Sequence, residues 1–179
     1  MSAIVRSFGG HAPQLGRGVF LAENCAVIGD VVLGDEASIW YSVVLRGDMY
    51  PIRIGARTNV QDGTVLHVTS GRFATTIGSD CTIGHAAIVH GCTVEDHCLI
   101  GMGSTILDGA HIGSGSLVGA GALVTPGTII PPRSLVLGAP ARVVRPIKPK
   151  ETEEIEYGAV HYVELARRYL AGEGGSSVR

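Results

Sequence analysis

The chain is poor in aromatic residues and has no long apolar run. Phe, Trp and Tyr make up 5% of 179 residues, and no apolar run approaches the roughly 20 residues that cross a bilayer. It also has no basic run, and its formal net charge is −2, so we expect neither nucleic acid nor a membrane as a partner. The first residues lack the apolar core of a signal peptide, and we expect a cytoplasmic protein.

Two sequence patterns that often mark a redox, metal or cofactor site are also missing. The four cysteines form no Cys-x-x-Cys pair, and the thiols of an intracellular chain stay reduced, so we interpret them as small buried hydrophobic residues. No glycine run fits a dinucleotide or phosphate loop. The 26 glycines instead accompany many Val and Ile residues, a mixture typical of short strands and frequent turns rather than helices.

What the chain does have is an aliphatic residue at every sixth position. Three interruptions break this spacing: three extra residues near 49–51, five extra near 70–75, and one missing residue between Val89 and Val94. The aliphatic positions are Val27, Leu33, Ile39, Leu45, Ile54, Val60, Leu66, Ile77, Ile83, Val89, Val94, Ile100, Ile106, Ile112, Val118, Val124, Ile130 and Val136.

A second set of positions, two residues before the aliphatic ones, holds small residues. All four cysteines fall in this set, with Ala, Ser and Thr filling most of the other places. A helix has no period of six, and a half-buried strand would alternate by two. Tandem six-residue units predict an all-β solenoid in which each unit forms one face and one corner.

Several motifs add a specific resemblance. They are Arg46-Gly47-Asp48, Asn59-Val60-Gln61-Asp62-Gly63, Leu66-His67, Ile83-Gly84-His85 and Val89-His90-Gly91-Cys92. Together with the hexapeptide run, they resemble the gamma-class carbonic anhydrase family, in its bacterial short-loop type. The resemblance implies a left-handed parallel β-helix over residues 1–145, with three faces and therefore 18 residues per coil, and a homotrimer.

With three faces per coil, the spacing of the histidines can be counted. His67 and His90 each follow their aliphatic residue and are separated by one coil plus the five-residue insertion, so they stack on one face. Asp62 and His85 stack with each other in the same way. If the missing residue falls before Ile88 rather than after Val89, His90 changes phase and the first stack is lost.

The resemblance also implies a site and a reaction. His67 and His90 of one subunit and His85 of its neighbour would bind Zn²⁺, although Fe²⁺ or Co²⁺ would also suit histidine ligands. A metal-bound hydroxide would hydrate CO2 to bicarbonate at the trimer interface. The remaining expected site residues are Gln61, which would orient hydroxide or polarise substrate, Arg46 and Asp62 in the supporting shell or an ion pair, and Asn59 and Tyr162 at the pocket.

The six-residue spacing stops after Val144, and a helical pattern follows. We expect a helix over residues 151–171, capped by Thr152 and packed on the solenoid, and a disordered tail over residues 172–179. The predicted apolar stripe of this helix consists of Ile155, Ala159, Tyr162, Val163, Ala166 and Leu170.

Two departures from the family pattern leave other functions open. The acidic residues that serve proton transfer in the family prototype are replaced here by Met49 and by residues 68–71, so turnover is expected to be slow unless buffer, His161 or Tyr162 substitutes. The alternatives are a hexapeptide-type acyltransferase or thioesterase and a non-catalytic metal-binding trimer. An acyltransferase would need one catalytic histidine and a longer coil rather than three clustered histidines.

Overall fold

A computed structural model describes residues 2–173 as a parallel β-solenoid followed by one helix. Most strands are short because each carries a single hexapeptide unit between two corners. They are β1 (Ile4–Arg6), β2 (Gln14–Leu15), β3 (Phe20–Leu21), β4 (Ala26–Leu33), β5 (Ser38–Ile39), β6 (Val44–Ile54), β7 (Asn59–Val60), β8 (Val65–His67), β9 (Thr75–Ile77), β10 (Thr82–Ile83), β11 (Ile88–His90), β12 (Thr93–Val94), β13 (Leu99–Ile100), β14 (Thr105–Ile106), β15 (His111–Ile112), β16 (Leu117–Val118), β17 (Leu123–Val124), β18 (Ile129–Ile130), β19 (Ser134–Gly138) and β20 (Ala141–Pro146); the helix is α1 (Pro149–Leu170).

The strands form three ladders, which are the three faces of the solenoid. The first face runs through β1, β4, β6, β8, β11, β14 and β17, and the second through β2, β4, β6, β9, β12, β15 and β18. β4 and β6 belong to both because each bends around the corner between them. The third face runs from β3 through β5, β7, β10, β13 and β16 to β19, and β20 pairs with β19 antiparallel. The predicted parallel β-solenoid is confirmed.

The core is the column of aliphatic side chains inside the coil. Every residue of the predicted six-residue series is buried in one continuous hydrophobic cluster. Where the spacing is uninterrupted, stacked partners such as Ile100 and Val118 are 18 residues apart. Each strand is too small to bury its own side chains, so the coils depend on their neighbours for stability.

The small residues lie at the corners and satisfy polar backbone groups there. The hydroxyl of Thr58 donates to the carbonyl of Gly78 at 2.7 Å, and that of Thr64 donates to the carbonyl of Gly84 at 2.9 Å. All four cysteines are free and buried. Burial raises the pKa of Cys25 to about 11 and that of Cys92 to about 12, which suits packing rather than thiolate chemistry.

The three interruptions of the repeat occur at the corner between the first and second faces. The extra residues near 49–51 lie inside β6, and the five-residue insertion forms a turn closed by a bridge between Thr69 and Phe73. The missing residue falls between β11 and β12, after Val89, because β11 pairs with β8 in an unbroken register. His90 therefore keeps its phase.

Helix α1 lies along the third face, where it contacts β3, β5, β7 and β10. It buries Ile155, Ala159, Val163 and Ala166 as predicted. Leu170 was expected in this stripe and is instead exposed, because it lies at the helix end. Residues 174–179 of the predicted tail lie outside the described residues.

The helix begins at Pro149, earlier than expected, and Thr152 does not cap it. Proline is favoured in the first helical turn, and the carboxylate of Glu151 accepts a hydrogen bond from the Lys148 amide at 2.6 Å. In residues 2–173 no helix is long and apolar enough to cross a membrane.

Candidate metal centre

His67 and His90 are neighbours on the first face. β8 and β11 are adjacent parallel strands whose register pairs these two residues directly. The residues before them, Leu66 and Val89, point into the core, so both imidazoles project outwards. Their ring centroids are 5.1 Å apart, and Nδ1 of His67 lies 3.1 Å from Nε2 of His90. The stacking expected from the spacing is confirmed.

One ring nitrogen of His67 has no hydrogen-bond partner. Its Nε2 is buried and lies 3.4 Å from Oδ1 of Asp48. Arg46 donates to both oxygens of that carboxylate, at 2.9 and 3.2 Å. Burial, followed by the charge of Arg46, lowers the pKa of His67, so the ring stays neutral at neutral pH. A neutral imidazole with a buried, unsatisfied nitrogen beside a carboxylate is suited to a cation.

His90 is held by a carboxylate from the next coil. Its Nδ1 lies 2.6 Å from Oδ1 of Asp108, and the hydroxyl of Thr69 donates to Oδ2 of the same carboxylate at 2.7 Å. Burial, the largest single effect, raises the pKa of Asp108, but the hydrogen bonds from Thr69 and His90 outweigh it and the net pKa is lowered. Asp108 is therefore an anion at neutral pH.

His85 occupies a different corner, between the third and first faces. Its Nδ1 is 2.8 Å from Oδ2 of Asp62, whose other oxygen accepts a hydrogen bond from the Tyr41 amide at 3.2 Å. The predicted stacking of His85 with Asp62 is confirmed. Within residues 2–173, no three His, Cys, Asp or Glu side chains are grouped so that they could hold a metal ion. One chain thus brings together His67 and His90 but not His85.

Gln61 and Asn59 lie on the third face, beside the corner that carries His85. Gln61 donates from its amide to Oδ1 of Asn59 at 3.1 Å, and Asn59 donates to the Thr82 hydroxyl at 2.9 Å and the Cys81 carbonyl at 3.2 Å. Asn59 is fully buried and Gln61 nearly so. Asn59 therefore fixes the orientation of Gln61.

Tyr162 reaches the same region from helix α1. Its ring packs edge-on against Trp40, with centroids 5.3 Å apart. Burial raises the pKa of Tyr162, and the negative charge of Asp62 raises it further. The neutral phenol therefore lies within electrostatic range of Asp62.

The expected site residues thus form two groups within one chain. Arg46 belongs to the group of His67 and His90, because it pairs with Asp48, which lies beside His67. Gln61, Asn59 and Tyr162 lie on the side of Asp62 and His85. Arg46 and Asp62 pair with different partners rather than with each other.

Two residues were missed by the sequence analysis. Asp108 stands one 18-residue coil after His90, so the coil count that pairs His67 with His90 could have identified it. Thr69 lies in the insertion, whose conformation the repeat does not predict, and no signal in the sequence identifies it.

The donor set fits a borderline-soft divalent metal. Imidazole nitrogens suit zinc, iron and cobalt, and a carboxylate on the second ring nitrogen is the usual support of a ligating histidine. His85 and His90 both direct Nδ1 to a carboxylate, so Nε2 is the nitrogen that would bind a metal; Nε2 of His90 faces Nδ1 of His67 at 3.1 Å in the single chain. His67 supplies the buried, unpartnered Nε2.

Comparisons with known proteins relate this arrangement to hexapeptide-repeat families. The family model described as bacterial transferase hexapeptide (six repeats) matches residues 74–108 and 91–126. A carbonic anhydrase of Geobacillus kaustophilus is 45% identical over 94% of this chain and 92% of its own length. The mitochondrial gamma carbonic anhydrase 2 of Arabidopsis thaliana is 43% identical over 87% of this chain, which spans 58% of that relative.

A solved structure agrees with the fold along nearly the whole chain. The hexapeptide transferase family protein of Anaplasma phagocytophilum superimposes with a TM-score of 0.89 at 39% identity, covering 93% of this chain and 98% of that protein. The relatives therefore carry two kinds of name, carbonic anhydrase and transferase, on one architecture.

Proposed function

Since this chain belongs to the gamma-class carbonic anhydrase family, we propose that it hydrates CO2 to bicarbonate with a divalent metal, zinc first, held between two subunits of a homotrimer. His67 and His90 of one subunit and His85 of the next would bind the metal. The observation that carries the proposal is the unpartnered Nε2 of His67 beside His90, together with the separation of His85 from both.

The separation of His85 explains why a second subunit is required. Three histidines and one open position make a catalytic zinc site, and one chain brings only two of them together. The outward-facing Val65 and Ile88 flank His67 and His90 and are substantially exposed in the single chain. Apolar side chains around a charged site are suited to burial against a second copy.

Each group of residues has its own task in this reaction. When bound, the metal acidifies a water molecule so that it can add to CO2 at neutral pH. Asp48, held by Arg46, and Asp108 orient the first two imidazoles. Gln61, fixed by Asn59, would orient the reacting oxygen through its amide.

The surface next to His90 is a shallow depression, open to solvent in the single chain. It is lined by the apolar side chains of Ile88, Leu107 and Pro126 together with His90 and Asp108. CO2 has no charge and no hydrogen-bond donor, so these apolar side chains would admit it at little desolvation cost.

The second candidate is an acyltransferase, which the transferase names of the matching family model and of the solved neighbour favour. Acyl transfer needs one histidine as a general base and makes no use of a second and third. Acetyl-coenzyme A turnover that survives metal removal would establish this candidate instead.

Complementation between subunits tests the proposal. His67→Ala and His85→Ala are each expected to lose metal binding and CO2 hydration, measured by elemental analysis and stopped flow. Mixed trimers refolded from the two variants should regain one of their three sites, with its metal and activity, because a His85→Ala subunit still offers His67 and His90 to a neighbour that retains His85. Mixed trimers without metal, or a His85→Ala protein with unchanged metal affinity, would overturn the shared site.

The pair of His111 and Glu95 provides a matched control. It is another histidine–carboxylate contact, at 2.8 Å, on the second face. His111→Ala should leave both metal content and CO2 hydration unchanged.

A further inference from the structure

The five-residue insertion forms a small closed turn against the corner between the first and second faces. The amide of Thr69 donates to the carbonyl of Phe73 at 3.0 Å, and the Phe73 amide donates back to Thr69 at 3.0 Å. The ring of Phe73 covers this corner beside Gly91 and Gly109, and Arg72 lies over it at 5.0 Å from the centroid. The two ends of the turn are therefore anchored, while its tip, residues 70–72, is exposed.

The turn places the Thr69 hydroxyl on Asp108. Of the two carboxylate oxygens, Oδ2 accepts from Thr69 at 2.7 Å and Oδ1 faces Nδ1 of His90 at 2.6 Å. A carboxylate can only accept, so Nδ1 of His90 carries the hydrogen. Nε2 of a neutral His90 is then the unprotonated nitrogen, and its lone pair accepts from Nδ1 of His67 at 3.1 Å.

Gly91 gives the Asp108 carboxylate the space to reach His90. A Cβ at Gly91 would clash with both Oδ1 of Asp108 and the Cβ of Phe73. The insertion turn, Gly91 and Asp108 lie in three successive coils and together fix the position of the His90 imidazole. The charged and titratable groups facing Asp108 are His90 and, at longer range, Arg72.

We propose that Asp108 is a positioning residue that holds His90 in the tautomer with Nε2 unprotonated, as a metal ligand must be, and that the insertion turn, through Thr69, holds Asp108 in place. This inference rests on the proposed function for its use, although the hydrogen bonds stand without it. The short turn thereby has a role of its own: it supports a ligand.

The alternative is that Asp108 and His90 form a surface ion pair with no bearing on the metal. The pair of His111 and Glu95, which lies on the second face, has a similar distance and exposure, with Nε2 of the imidazole facing the carboxylate. It shows what a histidine–carboxylate pair contributes by itself.

The first test reads the tautomer of His90 in the metal-free protein by long-range ¹H–¹⁵N NMR. The native chain should show hydrogen on Nδ1. Asp108→Ala should shift the population towards Nε2–H, whereas Asp108→Asn, which still offers an accepting oxygen, should retain the native tautomer. A His90 tautomer that is the same in native protein and in Asp108→Ala would overturn the inference.

The second test is the affinity for Co²⁺, followed through its visible absorption. Loss of a supporting partner typically weakens metal affinity about 10- to 100-fold, and we expect this of Asp108→Ala, with a smaller loss for Thr69→Val and partial rescue by Asp108→Asn. Glu95→Ala should change nothing.

The two tests separate this inference from the proposed function. If the native trimer binds no Co²⁺, the proposed function fails while the tautomer measurement still judges the role of Asp108. If native protein binds Co²⁺ and Asp108→Ala binds it equally well, the positioning role fails and the metal site stands.

Discussion

The carboxylate of Asp108 occupies the space that a side chain on Gly91 would need. Because Gly91 also has a φ of +57°, its place in the repeat combines a backbone requirement with a spatial one. The same residue thus links the coil geometry to the orientation of His90.

Gly91→Ala should destabilise the protein and displace Asp108. A Cβ at positive φ costs roughly 1–2 kcal/mol, and the clash with Asp108 and Phe73 should add about 1–3 kcal/mol. Gly103 has a φ of +65° and open space around it, so Gly103→Ala measures the backbone cost alone. Urea unfolding of the two variants checks the difference, and equal losses would show that the clash is relieved without cost.

Gln61→Leu should reduce catalysis without removing the metal. Gln61 is nearly buried and held by Asn59 on the side of His85, where its amide can support developing charge. Loss of such a donor typically lowers kcat about 10²-fold or more. Elemental analysis should show native metal content, and stopped-flow CO2 hydration should show the loss; native turnover would remove Gln61 from the proposed mechanism.

The stability lost on truncating an isoleucine should depend on whether its side chain points into or out of the coil. Ile100 is fully buried, whereas Ile129 points outwards and is 67% exposed. Ile100→Ala should cost about 2–5 kcal/mol through lost burial and a cavity, and Ile129→Ala should stay within about 0.5 kcal/mol. Chemical denaturation compares them. A large loss at Ile129 would reveal a contact with another subunit.

The repeat predicted the core well because burial imposes it at every coil. The same count, with its interruptions, predicted that His67 would lie beside His90 and Asp62 beside His85. It did not predict Thr69, because an insertion has no partner in the period and its path depends on Phe73 packing against the corner. The start of α1 was also missed, since the cap depends on Glu151, which also pairs with Arg145.

The single tryptophan reports docking of the helix. Trp40 is buried, and its ring lies 5.3 Å from those of both Tyr162 and Tyr169, centroid to centroid. Tyr169→Ala should expose Trp40 to water and shift its fluorescence emission to longer wavelength, with a loss of about 0.5–1.5 kcal/mol from each aromatic pair removed. Tyr157→Ala, at an exposed position of the same helix, should leave the emission unchanged; a shift there would mean that the helix moves as a whole.

The helix start should be sensitive to acid through Glu151. Its carboxylate pairs with Arg145 at 2.6 Å and accepts from the Lys148 amide at 2.6 Å, and these contacts, that with Arg145 foremost, lower the pKa of Glu151 from 4.5 to about 2. A lowered carboxyl pKa stabilises the folded state above the unfolded value, and this contribution disappears as the pH falls from about 4.5 to about 2.

Glu151→Gln should therefore be less stable than the native chain at neutral pH, and the gap should close across that acidic range. Urea midpoints followed by Trp40 fluorescence measure it at each pH. Glu153→Gln removes the same charge from an exposed position in the same turn and should show no such convergence. A gap between native protein and Glu151→Gln that does not change with pH would mean that the shape of the side chain, rather than its charge, caps the helix.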